Sequence, residues 1–144
     1  MLTLESLLAE RAAQRQAKLT EQRALLQQVQ QEQDERRRRF ESYLLTEEDA
    51  AKIQSRIRKA FADNEQEVML GSFPSDFCAD GGRRINHALP DWEESLIGAA
   101  KQVHEFWKRE LNPGGFGFSA RIINYPDGMP GDVGLFITWH TRKE

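Results

Sequence analysis

Residues 4–43, LESLLAERAAQRQAKLTEQRALLQQVQQEQDERRRRFESY, contain neither glycine nor proline. All ten glycines and all five prolines of the 144-residue chain lie between Gly71 and Gly134. Glycine and proline cost about 1 and about 3 kcal/mol inside a helix, so a stretch this long without either predicts a continuous helix. Leu4, Leu8, Ala12, Leu19, Leu26, Val29, Phe40 and Tyr43 recur at spacings near 3.5. Arg11, Arg15, Gln22, Gln33 and Arg36 stand where a regular coiled coil has leucine, so the seam is weak. A helix of some 40 residues is about 60 Å long at 1.5 Å per residue and has no core of its own. Residues 1–45 are therefore expected to form a helical, coiled-coil-like arm. Leu4, Leu8, Leu19, Leu26 and Val29 are its candidate partner-binding residues.

Outward from the arm the chain changes character. Ten of the thirteen aromatic residues follow residue 70, so a core belongs to the C-terminal part, and residues 46–144 are expected to fold as a small α+β domain. Thr46 can accept from the amide three residues on, and Glu47, Glu48 and Asp49 suit a helix N-terminus. A helix over 47–62 follows, with the stripe Ala50, Ile53, Ile57, Ala60 and Phe61. EVMLGSF (67–73), bounded by Pro74, reads as a strand. Ser75 and Asp76 open a short helix through Phe77 and Cys78, and 83–89 is ambiguous. Asp91, with Glu94 completing a capping box, predicts one helix over 92–111 with Trp92, Leu96, Ala99, Ala100, Val103, Phe106, Trp107 and Leu111 at helical spacing. Two alternating segments, 116–125 and 133–140, separated by PDGMPGD, predict a β-hairpin. Both hairpin faces carry apolar groups, so the 92–111 helix is expected on one face and the 47–62 helix on the other. Trp92, Phe106, Trp107, Phe118, Leu135 and Trp139 are the expected core.

Composition and charge exclude several classes. Twenty Lys and Arg against twenty-three Asp and Glu give a net charge of -3, which is not the balance of a polycation coating nucleic acid. Residues 1–62 carry twelve basic and ten acidic side chains, and residues 63–144 carry eight and thirteen. A single cysteine, Cys78, cannot form an internal disulfide, so a cytoplasmic protein is expected. Glu5 and Glu10 interrupt the N-terminal leucines, no basic leader precedes them, and no apolar run reaches the roughly 18 residues of a membrane span. Neither a secretory signal nor a membrane partner is expected.

Chemistry-bearing residues are few. Cys78, His87, His104 and His140 are spaced nine, seventeen and thirty-six residues apart and match no short zinc pattern. Cys78, with Arg83, Arg84 and a histidine downstream, has neighbours that depress a thiol pKa, but no protease signature surrounds it. Two glycines beside two arginines in DGGRR (80–84) suggest an anion site at Arg83 and Arg84, weighed against a plain turn. Asp127 and Asp132 lack the ligand alternation of a calcium loop. Arg36, Arg37, Arg38 and Arg39 are candidate anion-binding groups, weighed against simple solvation with Asp34, Glu35 and Glu41 alongside. No catalytic residue, metal site or cofactor is assigned.

Two functions follow. The first is a non-enzymatic interaction or adaptor protein that pairs through its arm with itself or with another protein. The alternative is nucleic-acid binding: the element order from residue 47, helix, strand, helix, helix, strand, strand, resembles that of winged-helix domains. That resemblance implies a reading helix at 92–111 with Lys101, His104, Lys108 and Arg109 exposed, beside Glu93, Glu94 and Glu105.

Overall fold

The computed structural model describes residues 1–140. The chain separates into two units, Met1–Arg39 and the remainder from Phe40 onward. Phe40 and Tyr43, the last positions of the seam, fall in the second unit.

The first unit is helical: α1 spans Leu4–Ser42, and none of its residues is buried. Its last turn belongs to the second unit, where the Phe40 ring lies 4.9 Å from Phe73 and 5.1 Å from Phe77.

In the second unit, α2 (Glu47–Ala62) begins as its sequence dictates. The Thr46 hydroxyl accepts from the Asp49 amide and the Asp49 carboxylate accepts from the Thr46 amide, both at 3.2 Å. Reciprocal capping of this kind satisfies two amides that the first helical turn otherwise leaves unpaired. β1 (Glu67–Pro74) follows, then a single 3-10 turn at Ser75–Phe77 with no side-chain cap. The ambiguous stretch holds a one-turn helix, α3 (Arg83–Asn86).

The single helix expected over 92–111 is broken into three pieces: a 3-10 turn at Trp92–Ser95, α4 (Gly98–Phe106), and a π turn at Trp107–Leu111. Leu96 and Ile97 between the first two are extended. Three contacts that local sequence does not show account for the break. The Ser95 carbonyl accepts from the Ala79 amide at 2.9 Å, which pulls the chain out of helical register, and Leu96 turns into the core. Gly98 then starts α4 at φ +55° with its Cα pressed against the backbone of Phe40 and Glu41, where a Cβ would collide with the Phe40 carbonyl. Finally, Asp91 and Glu94 do not form the expected capping box, because both carboxylates are drawn to Arg84, at 3.5 and 3.9 Å. Downstream, the wider π turn brings Phe106 and Leu111, five residues apart, into one buried cluster.

β2 (Gly117–Ile122) and β3 (Asp132–Thr138) form the expected hairpin, and β1 joins the other side of β3 in an antiparallel sheet of order β1-β3-β2. The pairing of β1 shifts between Met69 and Gly71, leaving Leu70 as a bulge. The bulge changes the phase of alternation, so that Val68, Leu70 and then Phe73 all reach the helical side.

The expectation that α2 and the 92–111 helix cover opposite faces is corrected. Ile57 and Ala60 of α2 and Phe106 of α4 share a buried cluster with Ile137, and Ala100 of α4 packs with Val133 and Leu135, so both helices cover one face. On the opposite face the Arg121 guanidinium lies 3.7 Å from the Phe136 ring centroid and forms a bidentate pair with Glu67 at 2.6 and 3.0 Å. That pair holds the Glu67 carboxyl below its ordinary value. Of the expected core, Phe106, Leu135 and Trp139 are buried, but Trp92, Trp107 and Phe118 are half-buried. No helix among the described residues is long and apolar enough to cross a membrane.

Candidate interaction surface

Along Met1–Arg39 every side chain is exposed. Leu4, Leu8, Leu19, Leu26 and Val29 are 74, 45, 42, 70 and 52% exposed. At about 100° per residue they fall on one stripe, and Leu7 and Leu25, which the 3.5-residue spacing passed over, lie at its border. Scattered apolar residues on a surface are ordinary, but an aligned set on a helix with no buried face has nothing to pack on within its own unit.

α1 runs unbroken through the arginine run, so Arg36, Arg37, Arg38 and Arg39 point about 100° apart in succession and encircle the helix. The Arg38 guanidinium donates back to the Asp34 carbonyl at 3.3 Å. The run is a collar around the helix.

The other candidates lie in the second unit. In the DGGRR turn the Asp80 carboxylate itself accepts from the amides of Gly82 and Arg84, at 3.0 and 3.1 Å. Arg84 is surrounded by Asp80, Asp91 and Glu94, so its charge is met within the fold, while Arg83 is exposed. The Asp132 carboxylate accepts from the Asn124 side chain at 3.1 Å, tying down the hairpin loop. Cys78 is buried at 3% exposure, and burial, reinforced by the Asp80 charge, pushes its thiol up to about 11. At neutral pH it is a thiol packed in the core, without the thiolate a nucleophile requires. Burial holds the His104 imidazole below its ordinary value. Among the described residues no three His, Cys, Asp or Glu side chains come together as a metal site would require.

Sequence reasoning did not anticipate an aromatic shelf at the edge of the sheet. Trp92 stacks flat on Phe118 at 5.8 Å, and His104 and Trp107 lie 5.4 and 5.6 Å from the same ring. The Trp107 indole is anchored by donating to the Phe116 carbonyl at 2.9 Å. The periodicity of the 92–111 segment held the signal for this grouping, but it could not separate a half-open shelf from a closed core. The same unit holds an apolar cleft of about 150 Å³, lined by Phe40, Gly71, Phe73, Ala99 and Val103 among others, with no charged side chain in its wall.

No protein family model, no curated protein and no solved structure matches this chain.

Proposed function

We propose that this is a non-enzymatic interaction protein that docks through its N-terminal helix, with the second unit as the folded body attached to it. The observation that carries this reading is the alignment of Leu4, Leu8, Leu19, Leu26 and Val29 on one face of a helix without a single buried residue. A seam with Arg11, Arg15, Gln22 and Gln33 among its positions forgoes maximal stability, a pattern that suits discrimination between partners. The test compares the full chain with a Leu8→Ser/Leu19→Ser/Leu26→Ser variant. Cross-linking and light scattering should show association, with a second copy or an added helix, that the variant loses while its melting curve stays unchanged. Identical association of the two chains would refute the reading.

The alternative, nucleic-acid binding, draws on the element order α2, β1, α3, α4, β2, β3, with the strands in an antiparallel sheet of order β1-β3-β2. It has less support. Lys101, Lys108 and Arg109 share their segment with Glu105 and Glu110, and Arg109 is paired with Glu110 at 3.2 Å. A phosphate-binding surface gathers cations without interleaved acids. A gel shift on duplex DNA that weakens steeply with salt and requires those three cations would favour the alternative.

A further inference from the structure

The leucine stripe of α1 has a charge pattern of its own. Arg11, Arg15 and Lys18 occupy it between Leu8 and Leu19, at successive steps of four and three residues that keep them on one face. All three are exposed and form no ion pair among the described residues. The acidic residues of 1–39, which are Glu5, Glu10, Glu21, Glu32, Asp34 and Glu35, all fall outside the stripe at about 100° per residue. Apolar and positive groups thus share one face while the negative groups lie elsewhere. A helix that lies in a membrane surface has the opposite design, with cations segregated from the apolar face.

A second copy of the arm is a poor occupant of this stripe. In a parallel pair in register, Arg11, Arg15 and Lys18 meet their own counterparts, and like charges on facing helices repel. In the antiparallel register that sets Leu4 against Val29 and Leu8 against Leu25, Arg15 meets Lys18, so cations face cations again. We infer that the occupant is a helix of a different protein, with leucine-type residues at both ends of its seam and a cluster of Asp or Glu facing Arg11, Arg15 and Lys18. The long stems of those cations cover apolar surface while their heads reach the carboxylates, which joins apolar burial to charge selection at one seam. This inference rests on the docking reading above and adds the chemistry of the partner.

The experiment titrates the full chain against two labelled synthetic helices of equal length. Each has leucines at both ends of its seam and a central cluster, glutamate in one and glutamine in the other, so that pairing is possible in either orientation. At low salt the glutamate helix should bind about tenfold tighter, the combined scale of three helix-surface ion pairs. The preference should vanish in Arg11→Gln/Arg15→Gln/Lys18→Gln and shrink near 0.5 M salt, an ionic strength at which the screening length is about 4 Å. Equal affinity for the two helices overturns the inference but leaves docking intact, as does a stable homodimer of the chain alone by sedimentation. Undiminished binding of the glutamate helix by Leu8→Ser/Leu19→Ser/Leu26→Ser overturns the docking reading itself. Binding of anionic phosphatidylserine vesicles or duplex DNA as tight as that of the glutamate helix also overturns the inference, because charge alone would then suffice.

Discussion

Two parts of one helix meet opposite fates in this molecule. From Leu4 to Arg39 it buries nothing, although it carries seven exposed leucine and valine side chains along one stripe and its border. One residue later, Phe40 enters an aromatic cluster with Phe73 and Phe77, and Tyr43 donates to the Asp49 carboxylate. The same periodic pattern covers both parts, so periodicity reports which face is apolar without saying what covers it. Cover comes from chain that returns from far away in sequence. It exists for Phe40, whereas Leu26 is 70% exposed among the described residues.

Truncating one apolar side chain on each side of the boundary should have opposite outcomes. Ile137, fully buried at the centre of the sheet, should cost about 4 kcal/mol as Ile137→Ala, a large share of the stability of a domain this size. Leu19→Ala in the arm should shift the denaturant midpoint of the same cooperative transition by almost nothing. Equal losses would mean that the arm is part of the cooperative core.

Gly98→Ala is next in size. The left-handed backbone and the collision with the Phe40 carbonyl should together cost about 3 kcal/mol. A Cβ at Gly71 meets nothing within 4 Å, so Gly71→Ala is the control and should be nearly neutral. If the two variants melt together, the close approach of α4 to the end of α1 does not exist.

Trp107 was expected in the closed core, where its truncation to alanine would cost about 3 to 5 kcal/mol. Its half-buried position on the shelf makes the milder Trp107→Phe the better probe. Losing the bond to the Phe116 carbonyl should cost about 1 kcal/mol by chemical denaturation, and a drop as large as that of Ile137→Ala would return this residue to the core.

The smallest effect is a pH dependence at the boundary. Partial burial, the hydrogen bond to Asp49 and the Asp49 charge raise the Tyr43 phenol to about 12. A folded pKa above the ordinary value near 10 stabilises the fold below pH 10, and the contribution is lost as pH rises from 10 through 12. Thermal melts at pH 9 and pH 11 should fall further for wild type than for Tyr43→Phe. Parallel declines would show that the phenol makes no such contribution.

Much of the fold was legible because its causes are local. A helix free of glycine and proline, the Thr46 cap on the amide of Asp49, and the alternation on either side of PDGMPGD each act within a few residues. What could not be read has distant causes. The break at Leu96 and Ile97 depends on Ala79 and Phe40, and the capping box of Asp91 and Glu94 gives way to Arg84. The common face of α2 and α4 depends on contacts with Val133, Leu135 and Ile137 far along the chain, and the bulge at Leu70 adds a phase shift in β1 that no alternation count reveals. For the candidate surface, the leucines were visible as a broken seam. The breaks themselves, Arg11 and Arg15 with Lys18, took on meaning only once the helix showed them on one uncovered face.

On the reading proposed above, the arm is a surface that takes another helix while the body folds by its own packing. Hydrogen exchange on the full chain, read by mass spectrometry with and without the glutamate helix, tests this most directly. In the chain alone, amides of Val133 to Ile137 in β3 should exchange only with global unfolding, and those of residues 4–29 should exchange far faster, with helical fraying. Adding the glutamate helix should slow residues 4–29 and leave β3 unchanged. If residues 4–29 of the monomeric chain are as protected as β3 before any helix is added, the arm already has its cover and the account is contradicted.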